Sequence, residues 1–425
     1  MYRLLTICLM AMVLAPSQVL ADDYHYVNML IGNRASGLGG AYTALSDDPA
    51  GCFHNPAGIA FVPHSSLSAS VNAFSKSTKT YESTLVNTAG RRLDWRKTSS
   101  SLLPNFFGLV RDFGDGKLGI SYAVTDALDR RQKQTFSNVR SRWADNPIDT
   151  YTINLNDSDK TYLFGPSYAY RLTDTLSLGA TLYAYYRDKE VINNQLLIFS
   201  QGQHSWSNYY ETQQDWGLKP MLGLMWEPLE RVSMGVSVSR VFITSSDRES
   251  QATLRDTVSS GSVEIGGEEL DFSDTDAIFF RTGSSSSTDD FPYRTALGLA
   301  YFASPRLLFS ADLVYHNAVD DREAVWNFAL GTEYYPWEPL ALRFGLFSDH
   351  ANTPELSNAR INQDEHLDIY GASLSASLFH QQSSVTLGVV YSRGEGDAQV
   401  VANEAVQQDV VIENLNFYLS ASYRF

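Results

Sequence analysis

The chain has 425 residues, a formal net charge of −16 and a hydrophobic fraction of 44%. So acidic a balance excludes a nucleic-acid surface, which needs clustered Lys and Arg against phosphate, and suits an exposed, secreted or envelope protein. No Pro-rich linker or charge block separates soluble units, so one large domain is expected despite the length.

Residues 1–21 place Arg3 ahead of an apolar run from Leu4 to Ala15 and finish on Val19-Leu20-Ala21. The run is too short to cross ~30 Å of hydrocarbon, which leaves a secretory signal peptide cut after Ala21. Cys8 falls inside it, and Cys52 alone remains, so no internal disulfide forms.

Residues 22–64 precede the first strand and carry signs of order. Gly37, Gly39 and Gly40 permit close backbone approach, and Pro49 and Pro56 fix turns. Asn55, before Pro56, is placed to bond its own backbone in an Asx-type turn, and Asp47 and Asp48 read as turn caps. His54 and His64 flank the Pro56 turn, but neither an HExxH nor a GxSxG pattern is present, so no catalytic residue, metal ligand or cofactor is assigned.

From residue 65 onward the pattern is period-two alternation, clearest where Leu415, Phe417, Leu419, Ala421, Tyr423 and Phe425 alternate with Asn416, Tyr418, Ser420, Ser422 and Arg424. Strands are predicted over 65–75, 103–113, 117–126, 161–172, 175–188, 214–227, 231–244, 293–302, 306–317, 325–336, 340–349, 367–379, 383–393 and 415–425. Short turns (GDGK, TD, EPLE, SP, WEP, QQ) alternate with longer polar segments near 76–102, 127–160, 189–213, 245–292, 318–324, 350–366 and 394–414. The polar run Ser273-Asp274-Thr275-Asp276 reads as solvated surface.

A soluble sandwich has no reason to sort its loops into a short set and a long set. A membrane barrel has short periplasmic turns and longer extracellular loops, and its closure removes the edges that lipid does not tolerate. The prediction is an all-β, transmembrane antiparallel β-barrel of about 14 strands over 65–425. Trp226 and Trp337, each where a strand leaves for a Glu-Pro-Leu turn, fit an interfacial girdle.

The faces opposite the apolar rows are small and uncharged: Gly119, Ser121, Ala123 and Thr125 in one strand, Ser233, Gly235, Ser237 and Ser239 in another. An ion-conducting pore would show rings of charge, whereas only Asp312, Arg343 and Arg424 stand out. Small inward residues leave room for an object in the lumen, and 22–64 can supply it as a plug.

The elements Gly37-Leu38-Gly39-Gly40-Ala41-Tyr42, Asp47-Asp48-Pro49-Ala50 and Asn55-Pro56-Ala57 together resemble the N-terminal hatch of the FadL-type outer-membrane proteins, transporters of long-chain fatty acids and aromatic hydrocarbons. The resemblance extends more weakly through Phe291-Pro292-Tyr293-Arg294-Thr295-Ala296-Leu297-Gly298-Leu299-Ala300-Tyr301 and Leu340-Ala341-Leu342-Arg343-Phe344-Gly345. It also covers the terminal strand ending in Phe425, which looks like the signal read by the barrel-assembly machinery.

What the resemblance implies is a barrel in the outer membrane of a Gram-negative bacterium, plugged by the hatch, that takes a hydrophobic small molecule from outside and releases it by lateral diffusion through the wall. Its surroundings would be outer-membrane lipid. Passive, hatch-gated uptake is the first expectation for function. A structural or interaction barrel, an adhesin or a secretion-complex partner, is the second, and an outer-membrane lipase or protease the third. Trp206, Tyr209, Tyr210, Phe279 and Phe280, apolar side chains in segments read as loops, are the candidate ligand contacts.

Overall fold

The computed structural model describes residues 24–141, 145–258, 262–265, 268–271, 278–286, 288–361, 363–400 and 406–425. The segment 1–21, expected to be a signal peptide, and the acidic run 273–276 lie outside the described residues. Residues 24–64, the described part of the segment expected to form a hatch and called the hatch below, contain two short helices, α1 (Asn33–Gly37) and α2 (Gly51–His54), and a 3-10 turn, η1 (Pro56–Phe61).

The wall begins with β1 (Ser66–Val86), β2 (Arg92–Phe113), β3 (Gly116–Val139), β4 (Ile148–Arg171), β5 (Leu176–Phe199), β6 (His204–Leu229) and β7 (Val232–Ser239). After Arg240 and Val241 the same strand resumes as β8 (Phe242–Asp256) in unchanged register with β6: Met221 faces Ser239 and Leu218 faces Phe242. A small hairpin follows, β9 (Ser262–Ile265) and β10 (Glu268–Asp271). The chain returns along β8 as β11 (Ile278–Ser285) and continues down β7 as β12 (Arg294–Ser304).

The rest is a meander of β13 (Leu307–His316), β14 (Val325–Trp337), β15 (Leu340–Asp349), β16 (His366–His380), β17 (Ser383–Ala398) and β18 (Gln408–Arg424). β18 pairs with β1 from Ser66–Arg424 upward and closes the sheet. With β8 and β11 as upper continuations of β7 and β12, the wall is a closed antiparallel barrel of 14 strands.

Leu178, Leu182, Leu222, Leu224, Leu374, Leu387 and Leu419 all point outward and are exposed. Such a continuous apolar belt has lipid as its solvent. Aromatic rings bound it above: Tyr122–Tyr162, Tyr162–Tyr186 and Tyr186–Trp216 follow one another at 6.4, 6.0 and 4.4 Å across four strands, and Tyr315–Trp326 lie at 4.5 Å. Trp226 and Trp337 are exposed at the short-turn end. Trp216 and Trp226 stand ten residues apart on β6; at ~3.3 Å per residue and a tilt of roughly 40° they bracket about 25 Å, the height of an outer-membrane apolar band.

The predicted strands all occur, but β1 to β6 run far beyond their predicted ends, so much of 76–102, 127–160 and 189–213 is strand rather than loop. Just above the outer girdle β3 is polar on both faces, as in Asp129-Arg130-Arg131-Gln132-Lys133-Gln134, before Phe136 and Val139 join a buried apolar cluster with Ile148, Ile153, Leu197 and Phe199. Alternation vanishes there while the ladder with β4 continues to Ile148.

Candidate functional site

The hatch is held by local backbone chemistry and by a wall shaped to receive it. Gly39 and Gly40 take φ of 65° and 88°, and the Gly40 N–H donates to Ala35 O at 2.9 Å, ending α1. This left-handed exit lays Gly39 against the β15 backbone, where a Cβ on Gly345 would overlap Gly39 N. Asp48 Oδ1 accepts from Ala50 N at 2.7 Å, the turn cap expected for it. Leu38, Tyr42, Ala44 and Leu45 then pack with Phe106, Leu163, Tyr183 and Ala300 of the wall.

Asn55 is fully buried and fully satisfied. Its Oδ1 accepts from Ala57 N at 3.2 Å, the predicted Asx turn, and its Nδ2 donates to Thr43 O at 2.8 Å and to Leu224 O of β6 at 3.0 Å. One side chain therefore ties η1 to the middle of the hatch and both to the wall. Gly223 leaves the space it needs, since a Cβ there would strike Asn55 Oδ1.

The small inward residues are the other half of the fit. Ser177, Thr181, Ser233 and Ser373 donate through their hydroxyls to Ala57 O, Cys52 O, Ala44 O and Gly37 O at 2.7–3.0 Å. Hatch carbonyls left over by its short helices are thereby paired. Of the inward charges, Asp312 Oδ2 accepts from Tyr42 N and Thr43 N at 3.0 and 2.9 Å. Arg34 forms a two-bond fork with Glu333 of β14 and reaches Asp47 Oδ1 at 2.6 Å, and Arg343 Nε donates to the same Glu333. Asp312 and Arg343 thus hold the hatch rather than line a pore.

Burial sets the titration of the hatch. It pushes the Cys52 thiol up to about 11, which leaves it an inert packing group. Burial lowers His54 to about 4, against the hydrogen bond its Nε2 makes with Ile31 O at 2.9 Å. Burial together with the Asp47 charge raises Asp48 to about 6. No group of three or more His, Cys, Asp or Glu among the described residues converges as a metal site.

Above the hatch the segment Val27–Leu30 borders a cavity of about 110 Å³, whose apolar lining includes Phe347, Ile369 and Ile412 and whose polar lining includes Lys97 and Arg130. Beside it the wall is interrupted. β2 and β3 pair at Phe106–Ala123 and again at Ser99–Arg130, but residues 100–105 and 124–129 between them form no ladder. Both strands bulge here, β2 at Asn105 and β3 at Thr125, and bulges bend a strand away from its neighbour. Pro104 removes a ladder donor as well. Ala127 and Leu128 of this stretch line the cavity, so the gap adjoins it. From within, Asn28 Nδ2 donates to Asp126 Oδ2 and Asn105 Nδ2 donates to Leu30 O, each at 3.3 Å.

The five aromatic candidates are divided. Tyr209 faces the lumen, bordering a charged vestibule of about 330 Å³, and donates to Glu211 Oε2. Phe279 shares that inner face, opposite the buried Leu254. Trp206 and Tyr210 alternate with the buried Ser205 and Ser207 and point outward, as does Phe280. The gap, the cavity, Arg34 and Glu333 were not singled out in the sequence; the readable signal for Glu333 is its inward position opposite Arg343 in the β14–β15 hairpin.

No family model matches the sequence, and no curated protein matches it. Solved structures do. A FadL homologue of Pseudomonas aeruginosa superposes with a TM-score of 0.65 at 16% identity, over 94% of this chain and 100% of that one. The toluene transporter TodX of P. putida gives 0.61 at 13% identity, over 92% and 97%. The toluene transporter TbuX of Ralstonia pickettii gives 0.58 at 14% identity, over 93% and 98%. The chain therefore shares the fold of these FadL-type barrels, an outer-membrane architecture.

Proposed function

We propose that the protein is an outer-membrane channel through which hydrophobic compounds cross passively, leaving the lumen sideways between β2 and β3. The observation that carries this reading is the unpaired stretch 100–105 against 124–129, adjoining a partly apolar cavity. Here, starting at the outer girdle and beside an inner cavity, the ladder between the two strands is lost. An apolar solute gains ~0.8 kcal/mol for each methylene taken out of water, so a dry side route to lipid needs no energy source. The hatch segment Val27–Leu30 closes this route by the two side-chain bonds from Asn28 and Asn105, and a modest shift of it would connect cavity to bilayer. The names of the structural relatives, toluene transporters and a FadL homologue, favour apolar cargo.

The test is uptake of labelled toluene and labelled oleate by cells carrying the wild-type protein or Ala127→Trp, which fills the gap. Faster uptake of at least one probe with the wild type, lost in a variant that still assembles as a heat-modifiable barrel, supports the reading. No gain for any apolar probe, or full uptake by the filled variant, removes it.

A further inference from the structure

Trp206, Tyr210 and Phe280 point away from the lumen, and strand register places them in a larger face. Across β3, β4, β5 and β6 the outward residues Lys133, Asn154, Asn194 and Asn208 stand directly opposite one another. The row continues through Thr253 of β8 to Phe280 of β11. Asn194 Nδ2 donates to Asn208 Oδ1 at 3.4 Å, so the amides run as a ladder. Trp206 lies one outward position above this row and Tyr210 one below it, level with Thr152 and Asn156 of β4.

Height decides what can cover this face. Asn156 and Thr152 stand six and ten residues above Tyr162 of the outer girdle, which at ~3.3 Å per residue and a tilt of roughly 40° is about 15–25 Å. Headgroups add only about 5–8 Å to each side of the hydrocarbon core, so no phospholipid reaches the rings and no acyl chain accounts for them. Charge is also sorted. Between these two levels the outward positions of the six strands include Arg131, Lys133 and Arg255 and no carboxylate, in a chain of net charge −16. The next level down is acidic, with Asp129, Glu190 and Glu249, so an anion is favoured only on the upper rows. Arg131 reaches down to Asp129 at 3.3 Å, whereas Lys133 is exposed and faces Asn154.

We propose that the outward face of the upper wall, centred on Lys133, Asn154, Asn208, Trp206 and Tyr210, binds the anionic inner-core sugars of a lipopolysaccharide whose acyl chains lie against the apolar belt below. Belt and face are continuous on the same strands, so one amphiphile with a tall headgroup covers both. In the outer leaflet of a Gram-negative outer membrane that amphiphile is lipopolysaccharide, whose core carries carboxylates and phosphates. The C–H face of a pyranose stacks on an aromatic ring, its hydroxyls pair with side-chain amides, and its anions meet Lys133 and Arg131. A second copy of the chain is a poorer occupant, because it would set like charges against each other. The inference does not depend on the route taken by cargo.

The experiment is a titration, read by native mass spectrometry, of the purified barrel in neutral detergent with lipid A and with rough lipopolysaccharide carrying the complete inner core. The two share acyl chains and differ in the sugars that reach the face. The wild type should take the rough form at least tenfold more tightly. Arg131→Glu with Lys133→Glu, and separately Trp206→Ala with Tyr210→Ala, should each bring that ratio near one and leave lipid A binding unchanged. Free inner-core oligosaccharide should compete, and dextran should not. Equal affinity of the wild type for the two lipids, a preference that survives either double variant, or competition by dextran as strong as by the core oligosaccharide would each overturn the glycan face while leaving the channel standing. So would a dimer in detergent that Lys133→Glu dissociates, since a second copy would then cover the face.

Discussion

Arg34 in the hatch and Glu333 on β14 meet as a fork, Nε to Oε2 at 2.9 Å and Nη2 to Oε1 at 2.8 Å, with Glu333 almost wholly buried and shared with Arg343. Glu333→Gln leaves Arg343 without its anion and Arg34 with only Asp47, and breaking a buried pair in this way costs roughly 3–5 kcal/mol. Amide exchange across α1 should accelerate strongly while the barrel stays heat-modifiable. Unchanged exchange would mean that the pair does not hold the hatch.

Asn55→Ala removes three hydrogen bonds worth roughly 1 kcal/mol each. Asn55→Asp keeps the acceptor toward Ala57 but places a carboxylate against Thr43 O and Leu224 O. Exchange of the hatch amides should rank Asp above Ala above wild type, with equal amounts of assembled barrel. A variant that never reaches the membrane would make Asn55 a folding residue instead.

Gly345→Ala puts a methyl group where Gly39 N lies, and neither backbone has a side chain that can give way. The hatch should shift at Leu38–Gly40, and leakage of ions and of large antibiotics should rise. Gly114→Ala, in a turn with open space around it, serves as the control for leakage, since its cost is confined to a φ of 60°.

His54 and Asp48 respond to acid with opposite sign. Docking lowers the proton affinity of His54 from its ordinary value to about 4, so its contribution is whole above roughly pH 6.5 and lost as pH falls toward 4. Docking raises Asp48 to about 6, so protonation between about 6 and its ordinary range favours the docked state. Arg294 and Lys219 face the first group, Asp47 and Arg34 the second. Asp48→Asn should therefore give a hatch that loosens on acidification, and His54→Gln one that tightens, both followed by exchange of hatch amides across that range. The same slope in both variants would refute this assignment.

The barrel was legible because lipid outside and a packed lumen inside impose opposite demands on neighbouring residues, as Leu419 and Ser420 show. Above Tyr186 and Trp216 that contrast ends, and Asn193, Asn194 and Gln195 belong to a strand that period two does not reveal. In the hatch, the Asn55–Ala57 turn was legible because it spans two residues; the bond to Leu224 was not, because the partner lies 169 residues away. The wall gap escaped for a related reason: Pro104 marks it, but a missing ladder is a property of two strands at once.

Sequence separation also orders events in time. Arg34 must wait for Glu333, 299 residues on, and Asn33 O for Tyr418, 385 residues on, so the hatch cannot settle until the last strands are in place. It waits on a short leash, because only residues 62–65 lie between η1 and the first residue of β1. The seam of β1 and β18 therefore zips with the plug already tethered at its foot, and the newborn cylinder need never stand open as a hole in the envelope.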